Sequence, residues 1–262
     1  MTISVGVFGA GGRMGSEVCR AVAVDPDLEL VTAVDPFHAG IDLRQVTGAD
    51  VAGQVARDAD ALAQAGAQVA VDFTTLEAAR ENLRWCARNG VHAVVGTTGF
   101  VDDDYRELTR HFTSSNCFVA PNFAIGAVLM MRFAELAAPW FQTAEIVELH
   151  HDRKIDAPSG TAVLTAARMA AASDEWGDDP TETVVLEGAR GGAASGGIRI
   201  HSVRLRGLVA HQEVLLGTTG QTLALRHDSY DRASFMPGVM LAVKAVPERP
   251  GLTVGLDALL EI

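Results

Sequence analysis

The chain has 262 residues, 48% hydrophobic and 21% charged. That balance fits one large globular domain or two modest ones and excludes a disordered chain, a collagen and a coiled-coil rod. With 33 acidic against 21 basic residues the net charge is -12, a field that repels phosphate backbones, so nucleic-acid binding is not expected and an anionic small substrate needs a local cluster of cations. Cys19, Cys86 and Cys117 are scattered and odd in number; they offer neither a metal spacing nor a disulfide framework, as in a reducing cytosol. The first cation is Arg13, so a targeting leader with a basic start is not expected. The longest uncharged run, Phe112 to Met131, is broken by Ser114, Ser115, Asn116, Pro121 and Asn122, too polar for a span of about 20 apolar residues. A soluble cytoplasmic protein with no membrane partner is expected.

The first half alternates short apolar runs with helical stretches. Ile3 to Phe8 reads as a buried strand ending in a glycine cluster, beyond which Met14, Val18, Ala21 and Val22 recur at helical spacing. Leu28 to Val34 is a second strand, ending at Asp35-Pro36. Gln68 to Phe73 is a third. Leu76, Ala79, Leu83 and Ala87 then line one helical face, which Asn89-Gly90 stops. His92 to Val95 and Cys117 to Ala120 are the fourth and fifth strands, ending at Gly96-Thr97-Thr98-Gly99 and Pro121-Asn122. Strands without period-2 alternation, separated by helices, predict an α/β unit with a Rossmann-like, doubly wound parallel sheet covered on both faces.

The second half changes character. Glu145 to Leu149 reads as a strand, followed by a polar loop and a helix from about Ser159 to Ala172. Gly188 to Gly197 reads as a mobile surface loop. Ile198 to Leu205, Ala210 to Leu216 and Thr222 to Arg226, separated by Arg206-Gly207 and Gly217 to Gly220, read as an antiparallel meander. Ser234 to Val246 then reads as a helix and Leu252 to Val254 as a short strand. This predicts an α+β unit with a mainly antiparallel sheet.

Gly9-Ala10-Gly11-Gly12-Arg13-Met14-Gly15 follows the first strand. Met14 stands where a strict G-x-G-x-x-G needs glycine, and the loop fits G-x-x-G-x-x-G on Gly9, Gly12 and Gly15. Glycines there let the backbone approach a pyrophosphate at a helix N-terminus; without a ligand the same loop is only a tight turn. Asp35, 20 residues after Gly15 at the end of the second strand, is placed to accept hydrogen bonds from a ribose diol, and the combination favours a dinucleotide. No G-K-[ST] is present to support a triphosphatase loop. Asp72-Phe73-Thr74, Gly96-Thr97-Thr98-Gly99 and Pro121-Asn122-Phe123 fall at the same sheet edge, where a nicotinamide riboside would lie.

Glu148 to Ala162, E-L-H-H-D-R-K-I-D-A-P-S-G-T-A, packs two histidines, an arginine and a lysine into five positions of an acidic chain. Neighbours on a strand point to opposite faces, and no ligand spacing accompanies His150 and His151, so a metal is not expected. A histidine proton donor beside a lysine that holds a carboxylate fits better. Ser159 is placed to cap the next helix, while Gly160 leaves its first N–H groups unshielded. With the Thr161 hydroxyl these form an anion site, and Lys154 adds a counter-charge that a plain cap does not need.

These segments, with Val95 to Gly99, Ala120 to Gly126 and Gly207 to Glu213, resemble 4-hydroxy-tetrahydrodipicolinate reductases (dihydrodipicolinate reductases) of bacterial lysine and diaminopimelate synthesis, the actinobacterial type most. The resemblance runs end to end. It implies NAD(P)H-dependent reduction of 4-hydroxy-tetrahydrodipicolinate to tetrahydrodipicolinate. It further implies a dinucleotide domain over 1–122 and 232–262, a substrate and tetramerisation domain over 123–231, hinge closure, and a homotetramer. By matching position His150 is the proton donor, Lys154 assists with protons or clamps a carboxylate, and His151, Ser159, Gly160 and Thr161 bind the small cyclic dicarboxylate. Gly9, Ala10, Gly11, Gly12, Arg13, Met14, Gly15, Asp35, Phe73, Thr74, Gly96, Thr97, Thr98, Ala120, Pro121, Asn122 and Phe123 hold the cofactor. Pro36 stands where some relatives carry an arginine for the extra phosphate of NADPH, while Arg13 offers another cation, so use of both NADH and NADPH is expected. The rivals are a dehydrogenase of another amino or oxo acid, which should lack the paired histidines before D-A-P-S-G-T, and a non-catalytic dinucleotide-binding protein, which needs neither His150 nor Lys154.

Overall fold

The structure is a computed structural model that describes residues 2–260. The chain divides into two compact units, one of Met1–Phe123 with Phe235–Ile262 and one of Ala124–Ser234. Phe123, expected in the substrate domain, falls in the first unit, and residues 232–234, expected in the dinucleotide domain, fall in the second.

In the first unit the elements follow as β1 (Ile3–Phe8), α1 (Arg13–Val24), β2 (Leu28–Val34), α2 (Leu43–Thr47), α3 (Asp60–Gln64), β3 (Val69–Asp72), α4 (Leu76–Asn89), β4 (His92–Val95), α5 (Asp102–His111) and β5 (Cys117–Val119). The six-stranded sheet has the order β11-β5-β4-β3-β1-β2, where β11 is Leu252–Val254, and every pairing in it is parallel. All four residues of β3 and all three of β5 are buried. Both faces are covered, which explains the unbroken apolar runs. Helices α4 and α5 pack on one another, as do α1 and α8 (Met236–Ala245). Because β1 has β2 on one side and β3 on the other, the winding reverses there, and the C-terminal ends of β1 and β3 flank the crevice in which such sheets bind ligands.

The second unit runs α6 (Ile125–Ala137), β6 (Thr143–His150), α7 (Gly160–Ala172), β7 (Gly192–Ala193), β8 (Arg199–Arg204), β9 (Ala210–Thr218) and β10 (Gln221–Ser229). After it the chain returns to the first unit through α8, β11 and α9 (Asp257–Leu260). The sheet order is β10-β9-β6-β8-β7. The expected meander is therefore corrected. Of the three strands expected in the meander, β9 and β10 pair as a hairpin while β8 does not pair with β9; β6 lies between β8 and β9, parallel to β8 and antiparallel to β9. A parallel neighbour needs a long crossover, supplied here by α7 and the segment after it. No local pattern in β8 and β9 reveals a strand inserted from 50 residues upstream. The glycine-rich stretch expected to be a free loop instead contributes β7, which pairs with β8, and a 3-10 turn over Ser195–Gly197. Helix α6 shows no single apolar stripe in the sequence, because it is apolar on more than one side. It packs against both α7 and β10. Met130, Ala134, Ile146, Ala166, Met169, Ile200, Val214 and Leu216 make the core of this unit.

Gly238 in α8 shows how tightly the first unit is closed. A Cβ there would lie 2.1 Å from the Phe123 carbonyl oxygen. Helix propensity favours alanine by about 1 kcal/mol, but a backbone carbonyl cannot move aside as a side chain does, and overpacking costs about 1–3 kcal/mol. Gly238→Ala is thus expected to lower the denaturation midpoint, which urea unfolding measures; a raised midpoint would show that propensity wins.

Candidate active site

The first cluster is built on the ends of β1, β2, β3, β4 and β5. Gly9 adopts φ +68°, and a Cβ on Gly15 would stand 2.1 Å from the Gly9 carbonyl oxygen, so α1 can begin against the loop only because position 15 has no side chain. The N-cap of α1 is Gly12 and provides no side-chain cap. The first-turn N–H groups and the positive end of the helix dipole are thus left for a ligand. Asp35 at the end of β2 accepts hydrogen bonds from the N–H of Gly11 (2.9 Å) and Phe37 (3.0 Å). His38 Nδ1 lies 3.1 Å from the same carboxylate, and its ring covers Gly11, where a Cβ would come within 2.3 Å of it. Burial alone would raise Asp35, but the His38 and N–H contacts outweigh it and hold the carboxyl below its ordinary value. Ala10 is buried, Met14 partly so, and Arg13 is exposed.

The neighbouring strand ends are rigid. Asp72, 2% exposed, accepts from the Thr74 N–H and hydroxyl and from Asn82 Nδ2, each at 2.7 Å. Burial still pushes its carboxyl up. Phe73 packs beside Gly96 and lies 5.7 Å from the Phe123 ring. The buried Thr97 donates its hydroxyl to the Thr74 carbonyl (2.9 Å), and Ala120 N–H donates to Val95 (3.0 Å). Thr98 and Pro121 are exposed, and Asn122 is partly buried. The cofactor residues named from the sequence in this unit thus gather at the C-terminal edge of one sheet.

The second cluster lies in the second unit, at the end of β6. Ile146, Glu148 and His150 alternate onto one face of the strand, and Glu148 is fully buried there. His150 Nδ1 lies 2.5 Å from Glu148 Oε2. Arg204, opposite His150 in the β6–β8 register, donates Nη1 to Glu148 Oε2 (2.9 Å) and Nη2 to Glu148 Oε1 (2.8 Å). Burial would raise Glu148, but bonds from Arg204, Ser202 and His150 hold it below its usual value. Burial lowers His150, and Lys154 and Arg204 push the same way; Glu148 opposes them without cancelling the shift. The His150 side chain remains 17% exposed, enough for a ligand to reach it.

The other residues of the segment surround this pair. His151 carries a buried Nδ1 that has no hydrogen-bond partner among the described residues. Ser159 caps α7, accepting from the Ala162 N–H (3.2 Å), while its own N–H donates to Glu148 Oε1 (3.2 Å). Gly160 is exposed, with open space where a Cβ would be. Thr161 opens the helix beside it. Lys154 is not idle: its Nζ is bound by both oxygens of Asp156, at 2.8 and 2.7 Å. Any further anion at Lys154 must share it with Asp156 or displace it. The sequence assigns no role to Glu148, Arg204, Asp156 or His38, and places Asp72 only at the ligand edge of the sheet. The i, i+2 spacing of Glu148 and His150 was a usable signal; Arg204, 54 residues from His150, left none. No group of three or more metal-ligating side chains lies together among the described residues, and no described helix is long and apolar enough to cross a membrane.

Residues 3–123 match the family model described as "Dihydrodipicolinate reductase, N-terminus", and residues 126–260 match "Dihydrodipicolinate reductase, C-terminus". The chain belongs to the dihydrodipicolinate reductase family. A 4-hydroxy-tetrahydrodipicolinate reductase of Cutibacterium acnes is 51% identical, with 98% of each chain covered, and one of Nocardia farcinica is 48% identical over the whole of both chains. Among solved structures, a dipicolinate-bound dihydrodipicolinate reductase from Paenisporosarcina sp. TG-14 superposes with a TM-score of 0.86 at 43% identity, covering 98% of this chain and 99% of that one. An amine dehydrogenase from Mycobacterium smegmatis, 17% identical with a TM-score of 0.64 over 98% and 96% of the chains, shares the fold.

For a reductase of this family, Gly15→Ala tests the loop directly. The added methyl meets the Gly9 carbonyl, so α1 must retreat from the loop. Dinucleotide affinity should fall at least about tenfold, or 1.4 kcal/mol, by fluorescence titration, with the second unit's core unaffected.

Proposed function

We propose that this protein reduces 4-hydroxy-tetrahydrodipicolinate to tetrahydrodipicolinate with NADH or NADPH, in lysine and diaminopimelate synthesis. The observation that carries the reading is the arrangement at the end of β6. A histidine held by a buried carboxylate, a lysine four residues on, and a helix N-terminus opened by Gly160 and Thr161 occur in a chain 51% identical to a reductase of that name. The dipicolinate in the related structure is a small cyclic dicarboxylate, the chemistry that such a cluster of cations beside a helix N-terminus would bind.

The residues of the first unit fit a dinucleotide. The close approach of α1 to the glycine loop, which a Cβ at position 15 would prevent, and the uncapped start of α1 suit a pyrophosphate, and Asp35 suits a ribose diol. Gly9 to Gly15, Asp35, Phe73, Thr74, Gly96 to Thr98 and Ala120 to Phe123 would hold it. With the 4-hydroxyl and a hydrogen of the neighbouring carbon lost from the ring as water, the reduced nicotinamide, when bound, would supply hydride to the ring carbon thus conjugated with the C=N bond. The remaining work falls to this chain's own side chains. Lys154 and the start of α7 stabilise the negative charge that gathers on the enamine and its carboxylate, His151, Ser159, Gly160 and Thr161 orient the ring, and His150 protonates the neighbouring carbon. The same reading makes the first unit the dinucleotide domain and the second the substrate domain, whose sheet assembles a cytoplasmic homotetramer.

Absorbance at 340 nm with synthase-generated substrate tests the activity. His150→Gln should lower kcat by about 10²–10⁴-fold with dinucleotide affinity unchanged, and turnover within a few-fold of wild type would remove His150 as donor. Lys154→Ala should raise KM for the dicarboxylate, because Asp156 cannot replace a cation; wild-type kinetics would remove the clamp.

Cofactor choice rests on Asp35 and Arg13. Asp35 favours the free diol of NADH and repels the extra phosphate of NADPH. Arg13 is exposed, and an exposed arginine contact is worth about 1 kcal/mol or less, so the two effects nearly cancel. The kcat/KM values for NADH and NADPH should lie within about tenfold, or 1.4 kcal/mol, at one salt concentration. Arg13→Ala should lower NADPH efficiency more than NADH efficiency. Equal losses would show that Arg13 only supports the loop.

A further inference from the structure

We infer that Glu148 and Arg204 are positioning residues for the reduction: Glu148 fixes the His150 ring with Nδ1–H bound and Nε2 left to meet the substrate, and Arg204 ties that pair to the segment carrying Lys154. The inference rests on the reading of His150 as proton donor and adds the two residues that orient it.

The geometry is over-determined. Glu148 and His150 share a face of β6 by strand alternation, and their side chains meet at 2.5 Å through Nδ1. A carboxylate acceptor at Nδ1 selects the tautomer with the proton on Nδ1 and leaves Nε2 as the nitrogen that gains and gives a proton. In the protonated ring Nε2–H passes its proton to the substrate carbon, and the neutral ring that remains keeps Nδ1–H on Glu148 until solvent restores Nε2–H. Arg204 holds both oxygens of Glu148, and the same Nη2 donates to the Asp156 carbonyl at 2.6 Å. Asp156 in turn holds Lys154 through its carboxylate. One guanidinium therefore links the donor to the lysine across three separate stretches of chain. The Ser159 N–H on Glu148 adds the start of α7 to the same carboxylate.

The charged groups facing His150 are Glu148 on β6, Arg204 on β8 and Lys154 on the following loop; β9 places Ala210 opposite it and brings no charge. Two of the three disfavour the imidazolium, so Glu148 is the one that sustains it. A protonated donor works below its pKa and is lost as pH rises through it. Removing the Glu148 charge must move that loss to lower pH.

The experiment is the pH profile of kcat for wild type, Glu148→Gln, Arg204→Lys and His150→Gln. Glu148→Gln should shift the descending alkaline limb downward by about 1–3 pH units with KM within a few-fold of wild type. A purely structural role would change stability or KM and leave the limb in place, which would overturn the inference. Arg204→Lys retains a charge beside Glu148 but cannot also reach the Asp156 carbonyl. It should raise KM about 10- to 100-fold through the misplaced Lys154, and an unchanged KM overturns the tie. If His150→Gln is inactive while Glu148→Gln matches wild type, the positioning role falls and the donor reading stands. If His150→Gln keeps wild-type turnover, both fall. Nitrogen-15 spectra of the wild-type protein give a readout free of folding effects: the neutral His150 ring, identified by its absence in His150→Gln, should carry its proton on Nδ1, and a proton on Nε2 overturns the inference.

Discussion

Glu148 shares the core-facing side of β6 with Ile146, and neither side chain is exposed. A carboxylate in that position, stripped of water without partners, costs several kcal/mol, and even a paired one is seldom more stable than an apolar residue of the same volume. The unit is arranged so that the charge is met on every side: the arginine fork from β8, the histidine two residues along the same strand, and the first N–H of the α7 turn. Those partners hold the His150 ring and the start of α7 to one carboxylate. The expense of burying the acid is thus tied to the geometry of the site, since removing any one partner leaves the charge less satisfied. The parallel β6–β8 pairing brings Arg204 into register with His150, within reach of Glu148.

The first unit meets its ligand by a different means. Its strands are too buried and too apolar to offer chemistry along their length, and polar groups appear only where they end. Asp35 and Asp72 both sit there as carboxylates held by backbone N–H groups. Their environments diverge: Asp72 is enclosed and pushed up by burial, while Asp35, more open and beside His38, is held down. Asp72 stiffens the turn that carries Phe73 and Thr74. Asp35 keeps the charge that a diol can use. The closeness of Gly15 to the Gly9 carbonyl and of Gly238 to that of Phe123 shows that the loop and the strand-end aromatics are set by backbone contact, which tolerates little displacement.

Lys154 joins the two themes of charge and restraint. Its ammonium is held by both oxygens of Asp156, so the lysine already has a carboxylate partner. An exposed pair of this kind is worth about 1 kcal/mol or less, small enough for another carboxylate to compete. The pair keeps the cation in place without closing the site.

Much of this was legible in residue order alone. The apolar runs at 3–8, 28–34, 69–72, 92–95 and 117–119, each followed by small polar residues, determine a parallel sheet with a ligand edge, because strand burial and turn chemistry are local properties. The glycine loop, Asp35 and the Glu148 to Ala162 segment were readable for the same reason: the residues that act together lie within a few positions of one another. Tertiary structure alone decided what joins distant stretches. That β6 enters between β8 and β9, that α6 folds over α7 and β10, that β7 edges the sheet, and that Arg204 reaches Glu148 and the Asp156 carbonyl depend on long-range pairing. Such pairing leaves no periodicity in the chain: an arginine in a strand reads the same whether it faces water or a buried glutamate, and only the register of β8 on β6 settles which.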